Sequence, residues 1–126
     1  MNSKVIMALR IFLGLFVLMF GFDKFFHFIP MDQSAMSEAA MGYMGGLAAT
    51  KTLVLVGFIE ISTGLSLLFN KYAALMLLIL MSVSVNAVLF HATLEPETIP
   101  GSLIMLVLNL VLLYGYRDKY SALLQA

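Results

Sequence analysis

Glu60 stands in the middle of an apolar run from Thr52 to Phe69, where a carboxylate must either carry a proton or face a donor. Its candidate donors are Lys24 and the side-chain amides of Asn86 and Asn109, each in a different apolar run. Glu60 is eight residues from Thr52, Asn86 nine from Glu95 and Asn109 nine from Pro100. At ~1.5 Å per residue, all three fall roughly 12 to 14 Å inside the same boundary. Lys24 and His91 come closer to that boundary, His27 lies almost at it, and Ser82 shares the face of Asn86 one turn deeper. The expected arrangement is a polar funnel, with Lys24, His27 and His91 at the mouth and Glu60, Asn86 and Asn109 on the floor. Such a set could bind the head of a quinone-like or other lipophilic ligand. The amides would hydrogen-bond its oxygens, Glu60 would exchange the proton that accompanies electron transfer, and Lys24 with His91 would join the site to outside water. The same Asn amides could instead bond neighbouring helices together with no ligand present.

Other chemistries find less support in the sequence. His27 and His91 are the only histidines, and their unequal depths argue against a haem clamped between them. No His/Asp/Glu group has metal-ligand spacing, and no phosphate-binding glycine loop, nucleophile elbow or catalytic triad pattern is present. No residue is assigned a catalytic role. Without cysteine, the chain forms neither a disulfide nor a thiolate site, so redox chemistry would have to come from a bound cofactor or a partner.

The elements that must position these residues follow from composition. Of 126 residues 62% are hydrophobic and 11% charged, with a mean hydropathy of +1.01, far from a water-soluble globule. Seven basic and seven acidic residues cancel, which leaves no positive excess for nucleic acid. Four runs approach the ~20 residues that a membrane span needs, at about 5–28, 52–69, 72–94 and 98–116. We expect an all-α transmembrane four-helix bundle forming a single domain over 1–126, in the inner membrane if the cell is bacterial. Arg10 interrupts the first apolar run and no small-residue cleavage site precedes Asp23, so a cleaved signal peptide is the weaker reading. The short links at Asn70-Lys71 and Glu95 to Pro100 make their flanking helices antiparallel neighbours. Lys4, Arg10, Lys71, Arg117 and Lys119 gather at one side against Lys24 and Lys51 at the other, placing both termini in the cytoplasm.

Small residues fall on regular stripes. Arg10, Gly14, Val17, Gly21 and Lys24 share one face of the first span, and Gly57, Glu60 and Gly64 one face of the second. The two glycine pairs are candidate packing positions that let another backbone come close. Arg10 is expected to snorkel to cytoplasmic water, and Asp23 to face solvent. Between Met31 and Lys51, Met36, Ala40, Tyr43, Met44 and Leu47 recur at helical spacing, with Ser34 as a possible cap. That predicts a short helix at the outer interface, anchored in lipid or covering the bundle mouth. A faint echo links Asn70-Lys71-Tyr72-Ala73-Ala74-Leu75-Met76 to Asp118-Lys119-Tyr120-Ser121-Ala122-Leu123-Leu124, as a repeated interfacial anchor or the trace of a hairpin repeat.

An arginine early in the first span, Gly21-Phe22-Asp23-Lys24 closing it, Gly57-Phe58-Ile59-Glu60 followed by Gly64, and a basic end after Tyr116 together resemble the DoxX-like family of small four-helix membrane proteins. The likeness covers nearly the whole chain. It departs at the end, where Gly115-Tyr116-Arg117-Asp118-Lys119 replaces the family's glycine-rich closing motif, and no role is carried over there. Members are linked to thiosulfate:quinone oxidoreductases and to membrane redox and detoxification complexes, and distant ones to receptor assembly or cargo export. For a chain without cysteine, the resemblance implies a quinone-linked or accessory role in a membrane redox system. The alternative is a non-enzymatic scaffold whose glycine stripes and Met-rich segment meet a partner membrane protein or a second copy. A small transporter is less suited, since four short helices leave little room for alternating access.

Overall fold

The computed structural model describes residues 1–30 and 35–126, and these form five α-helices and two 3-10 turns. The helices are α1 (Ser3–Phe26), α2 (Glu38–Ala49), α3 (Thr52–Phe69), α4 (Ala73–Leu94) and α5 (Ile99–Gly115). All but α2 belong to stretches long and apolar enough to cross a membrane, so the chain is a multi-pass membrane protein. The spans fall within about two residues of the positions expected from hydropathy, and α2 is the short helix anticipated between the first two. The expected cap Ser34 and the acidic Asp32 lie outside the described residues. Ser37 caps α2 instead, its hydroxyl accepting from Ala40 N–H at 3.1 Å.

Local signals punctuate the helices. Asn2 caps α1 through Lys4 N–H at 2.7 Å, and His27 ends α1 in the left-handed region at φ 53°. Asp23 is half-buried and its carboxylate accepts Ile29 N–H at 2.6 Å, so it pins the chain leaving α1 and does not simply face solvent. Asn70 and Tyr72, at φ 52° and 58°, flank Lys71 in the tight turn between α3 and α4. Pro100 sits in the first turn of α5, where a missing N–H is harmless.

The spans form a ring in chain order: α1 against α3, α3 against α4, α4 against α5, and α5 back against α1. Leu13, Val17, Leu67, Leu77, Leu80 and Leu112 fill the axis and are fully buried, while Phe12, Leu15, Phe58, Leu89 and Val107 point outward. Lipid tails are as apolar as leucine, so burial alone gives such helices little reason to associate. Close packing through small residues takes over that role.

Arg10 is 9% exposed and does not reach for water. Its guanidinium donates to the carbonyl of Leu67 and, at 3.3 Å, to that of Leu68, the unpaired carbonyls at the negative end of α3. The reason is depth: α3 ends beside Arg10, and a charge-assisted bond inside the bundle replaces hydration. Arg10→Met should therefore lower stability by about 1.5–3 kcal/mol, read from thermal unfolding in detergent micelles. Arg10→Lys should restore only part of it, having no planar fork of donors.

The end carrying both termini is fastened by two tyrosines. Tyr116 donates to Asn70 Oδ1 and Tyr120 to Ala74 O, both at 2.7 Å. This separates the two halves of the sequence echo: Tyr72 is 78% exposed in a turn, whereas Tyr120 is buried within the closing 3-10 stretch Arg117–Leu124. Burial, assisted by the neighbouring Tyr116, pushes the Tyr120 phenol up to about 12. The folded chain thus holds this proton more tightly than the unfolded chain. The stabilisation is complete below pH ~10 and fades as pH rises through the folded value. An alkaline titration followed by circular dichroism should show that step in the wild type and lose it in Tyr120→Phe.

Candidate functional site

The glycines of α1 and α3 build the site by meeting each other. A Cβ on Gly14 would lie 3.2 Å from Gly64 O, and one on Gly21 would lie 3.0 Å from Glu60 Cβ and from Ile61 N. A Cβ on Gly57 would stand 2.7 Å from the Phe25 ring and 3.4 Å from Lys24 Cβ. The four glycines are buried between the two helices and present no surface to another protein. Their contact brings Lys24 opposite Glu60, with Nζ 2.5 Å from Oε1. A carboxylate has more lone pairs than one ammonium fills, so Glu60 keeps acceptor capacity for a further donor. Glu60 is 3% exposed while the Lys24 side chain is 23% exposed.

Two cavities meet at Lys24. The first, about 460 Å³, lies between α3 and α4 beneath α2, and Lys24, Glu60, Ser82, Asn86 and His91 line it among apolar side chains. The second, about 490 Å³, opens at the end opposite the termini and is lined by Asp23, Lys24, His27, His91, Glu95 and Thr98. α2 covers the first: Met44 and Leu47 form part of its wall, and the Tyr43 ring stacks on Phe90 at 5.2 Å between centroids. Ser37 N–H, at the start of α2, donates to Glu95 Oε1 at 3.1 Å.

The expected polar layer divides. Lys24, Glu60, Asn86 and His91 share one cavity, but Asn109 lines neither. Asn109 is fully buried, accepting from Ser84 Oγ at 2.8 Å and donating to Leu77 O at 3.0 Å, so it ties α5 to α4. Depth was common to all three residues, but facing was not. Ser84, two residues from both Ser82 and Asn86 and so ~200° around the helix, takes the inner face. Asn86 and Ser82 are turned to the outer α3–α4 seam and are exposed. The Asn86 amide donates to Ser82 O at 2.7 Å.

The single outward funnel is thus replaced by a side cavity and an end cavity joined at Lys24. His27 and His91 both border the end cavity. His27 is exposed at the end of α1 and His91 Nδ1 is 2.7 Å from Thr98 Oγ1. Among the described residues no group of three or more His, Cys, Asp or Glu could hold a metal ion.

Sequence reasoning passed over Ser84, Thr98 and Thr63. Thr63 follows Glu60 by one turn on the same buried face, and its hydroxyl has no hydrogen-bond partner among the described residues. Its spacing of three from Glu60 was the available signal. The DoxX family model matches residues 5–92, a stretch that includes Lys24, Glu60, Asn86 and His91 and stops short of Asn109. No curated protein and no solved structure matches the chain.

Proposed function

The chain belongs to the DoxX family, and on that premise we propose that it is an accessory component of a membrane redox system that binds a quinone-like lipophile in the cavity between α3 and α4. The observation that carries this reading is a charged pair, Lys24 and Glu60, on the wall of a largely apolar cavity of about 460 Å³. Burying a carboxylate in a membrane is costly, which makes such a group a marker of ligand or proton sites. The donor set suits a head with carbonyl oxygens: the Lys24 ammonium and the Asn86 amide can donate, and Glu60 can accept from a hydroxyl. Because Lys24 and Glu60 neutralise one another, the site favours an uncharged head over an anion.

A quinone bound there would supply two-electron, two-proton chemistry, with electrons from a partner protein. This chain's own part is to orient the head, exclude bulk water beneath α2, and hold a proton at the Glu60 carboxylate. Water reaches Lys24 through the end cavity, past His91. We also propose that both termini lie in the cytoplasm, since Lys4, Lys71, Arg117 and Lys119 are exposed at that end. A scaffold role can no longer draw on the glycine stripes, because each glycine is covered by the opposing helix of the same chain.

Mass spectrometry of small molecules retained after gentle solubilisation tests the reading. Wild type should keep a quinone-like molecule, Glu60→Gln and Asn86→Leu should each lose most of it, and Asn109→Leu should keep it. Equal retention in all four, or phospholipid alone in the wild type, would refute it.

A further inference from the structure

The Lys24–Glu60 pair is approached from two directions that differ in solvent. The end cavity has a charged rim of Asp23, Glu95 and Glu97, which keeps it wet. The side cavity has an outer rim of Leu55, Ser82 and Asn86, all exposed on the outer faces of α3 and α4. At ~1.5 Å per residue, this rim runs from roughly 5 Å to roughly 20 Å below the end opposite the termini, a depth at which the surroundings are hydrocarbon. Sequence explains why this seam is open while the α1–α3 seam is closed. Four glycines interlock α1 with α3, whereas α4 has no glycine. The side chains bordering the gap, Val56, Ile59, Val83 and Ala87, are only half-buried.

We infer that the gap between α3 and α4 is a lateral portal. Through it an uncharged amphiphile dissolved in the bilayer enters, leaving its alkyl or isoprenoid tail across Leu55, Ser82 and Asn86 and its head at Lys24 and Glu60. The end cavity passes water and protons only. The inference rests on the ligand-binding reading above and adds the route and the tail. It also accounts for Asn86 and Ser82, polar groups at a hydrocarbon-facing rim where they would otherwise be a liability. A polar head sliding in from the bilayer meets them before it meets the charged pair. Because the tail occupies the portal in the bound state, filling the portal opposes binding at equilibrium as well as entry.

The experiment compares two probes on the full chain in phosphatidylcholine vesicles: a decaprenyl benzoquinone in the bilayer, and the same dimethoxy-methyl benzoquinone head without a tail, added from water. Ser82→Trp, a bulky residue at the rim, should weaken capture of the tailed quinone about tenfold, a difference of ~1.4 kcal/mol, and so shrink the advantage that the tail gives over the tailless head in the wild type. Leu89→Trp, on the outer face of α4 and 57% exposed but at neither cavity, should change neither. Undiminished capture of the tailed quinone by a folded Ser82→Trp chain would overturn the portal while leaving the site intact. Failure of the wild type to capture either probe would overturn the quinone reading and the portal with it. Should Ser82→Trp not fold, photo-crosslinking the wild type with a tailed quinone carrying a diazirine midway along its tail decides the matter. Adducts at Leu55, Ser82 or Asn86 support the portal, and adducts confined to His27, Glu97 or Thr98 refute it.

Discussion

Gly64→Ala should destabilise the folded chain by about 2–3 kcal/mol, the upper range for overpacking a tight interface, and Gly64→Val by more. The new Cβ would lie 2.8 Å from the carbonyl oxygen of Gly14 and press on Leu18. Leu18 could change rotamer, but a helix backbone can yield only by moving the whole helix. The ranking across the interface follows from what each Cβ meets. Gly21→Ala meets the Ile61 backbone N at 3.0 Å, whereas Gly57→Ala meets the Phe25 ring at 2.7 Å, and a ring on a flexible side chain can turn aside. The expected order of loss is Gly64, then Gly21, then Gly57, measured as unfolding in mixed micelles of increasing denaturing detergent. Gly42, Gly45 and Gly46 of α2 have nothing within 4 Å of a built Cβ. Gly45→Ala should therefore raise stability by up to ~1 kcal/mol through helix propensity alone. Uniform loss at all of these glycines would mean that the α1–α3 contact is not what holds the bundle together. The same interface sets the site, so Gly64→Val should also cost ligand retention by moving Lys24 away from Glu60.

The second large effect is expected at the charged pair. Lys24→Met removes the partner of a carboxylate that is 3% exposed, stranding a buried charge. Breaking a fully enclosed pair costs about 3–5 kcal/mol. Lys24 is 23% exposed and already shares its charge with solvent, so about 2 kcal/mol is the expected loss. Glu60→Gln should lose less, near 1 kcal/mol, because an amide oxygen still accepts from the ammonium. The double variant Lys24→Met with Glu60→Met should recover most of the stability of Lys24→Met, since an apolar pair in an apolar surround replaces a lone charge. A cycle of these variants by thermal unfolding separates coupling from simple truncation. Additive losses would show that the two groups do not interact in the folded chain. Stability recovered in the double variant without ligand retention would assign the pair to binding, because its structural part would then be replaceable.

Much of this protein is legible in its sequence. The four spans and the short helix between the first two came from hydropathy and helical spacing, because a bilayer permits few solutions for a 20-residue apolar segment. Pairing Lys24 with Glu60 was also within reach. A carboxylate in mid-span has few possible donors, and glycines at spacings of seven on both helices mark the faces that can come close. Arg10, near the end of its span, reads in the sequence as a residue that snorkels to cytoplasmic water. Its real partners are carbonyls 57 and 58 residues away in sequence, beyond what spacing on α1 can reveal.

Sequence by itself determined the membrane environment, the helices, their antiparallel order and the depth of each polar residue, because these depend on local hydropathy and on rise per residue. Tertiary structure alone decided which way each residue faces. α4 carries polar residues on opposite faces, with no single apolar stripe, so nothing local fixes its rotation, and packing against α3 and α5 sends Ser84 inward to Asn109 while turning Ser82 and Asn86 to the open seam. Depth is a one-dimensional property that a sequence carries directly. Azimuth is relational, set by which neighbour a helix packs against, and it separates the Asn109 that holds the bundle together from the Asn86 that lines its cavity.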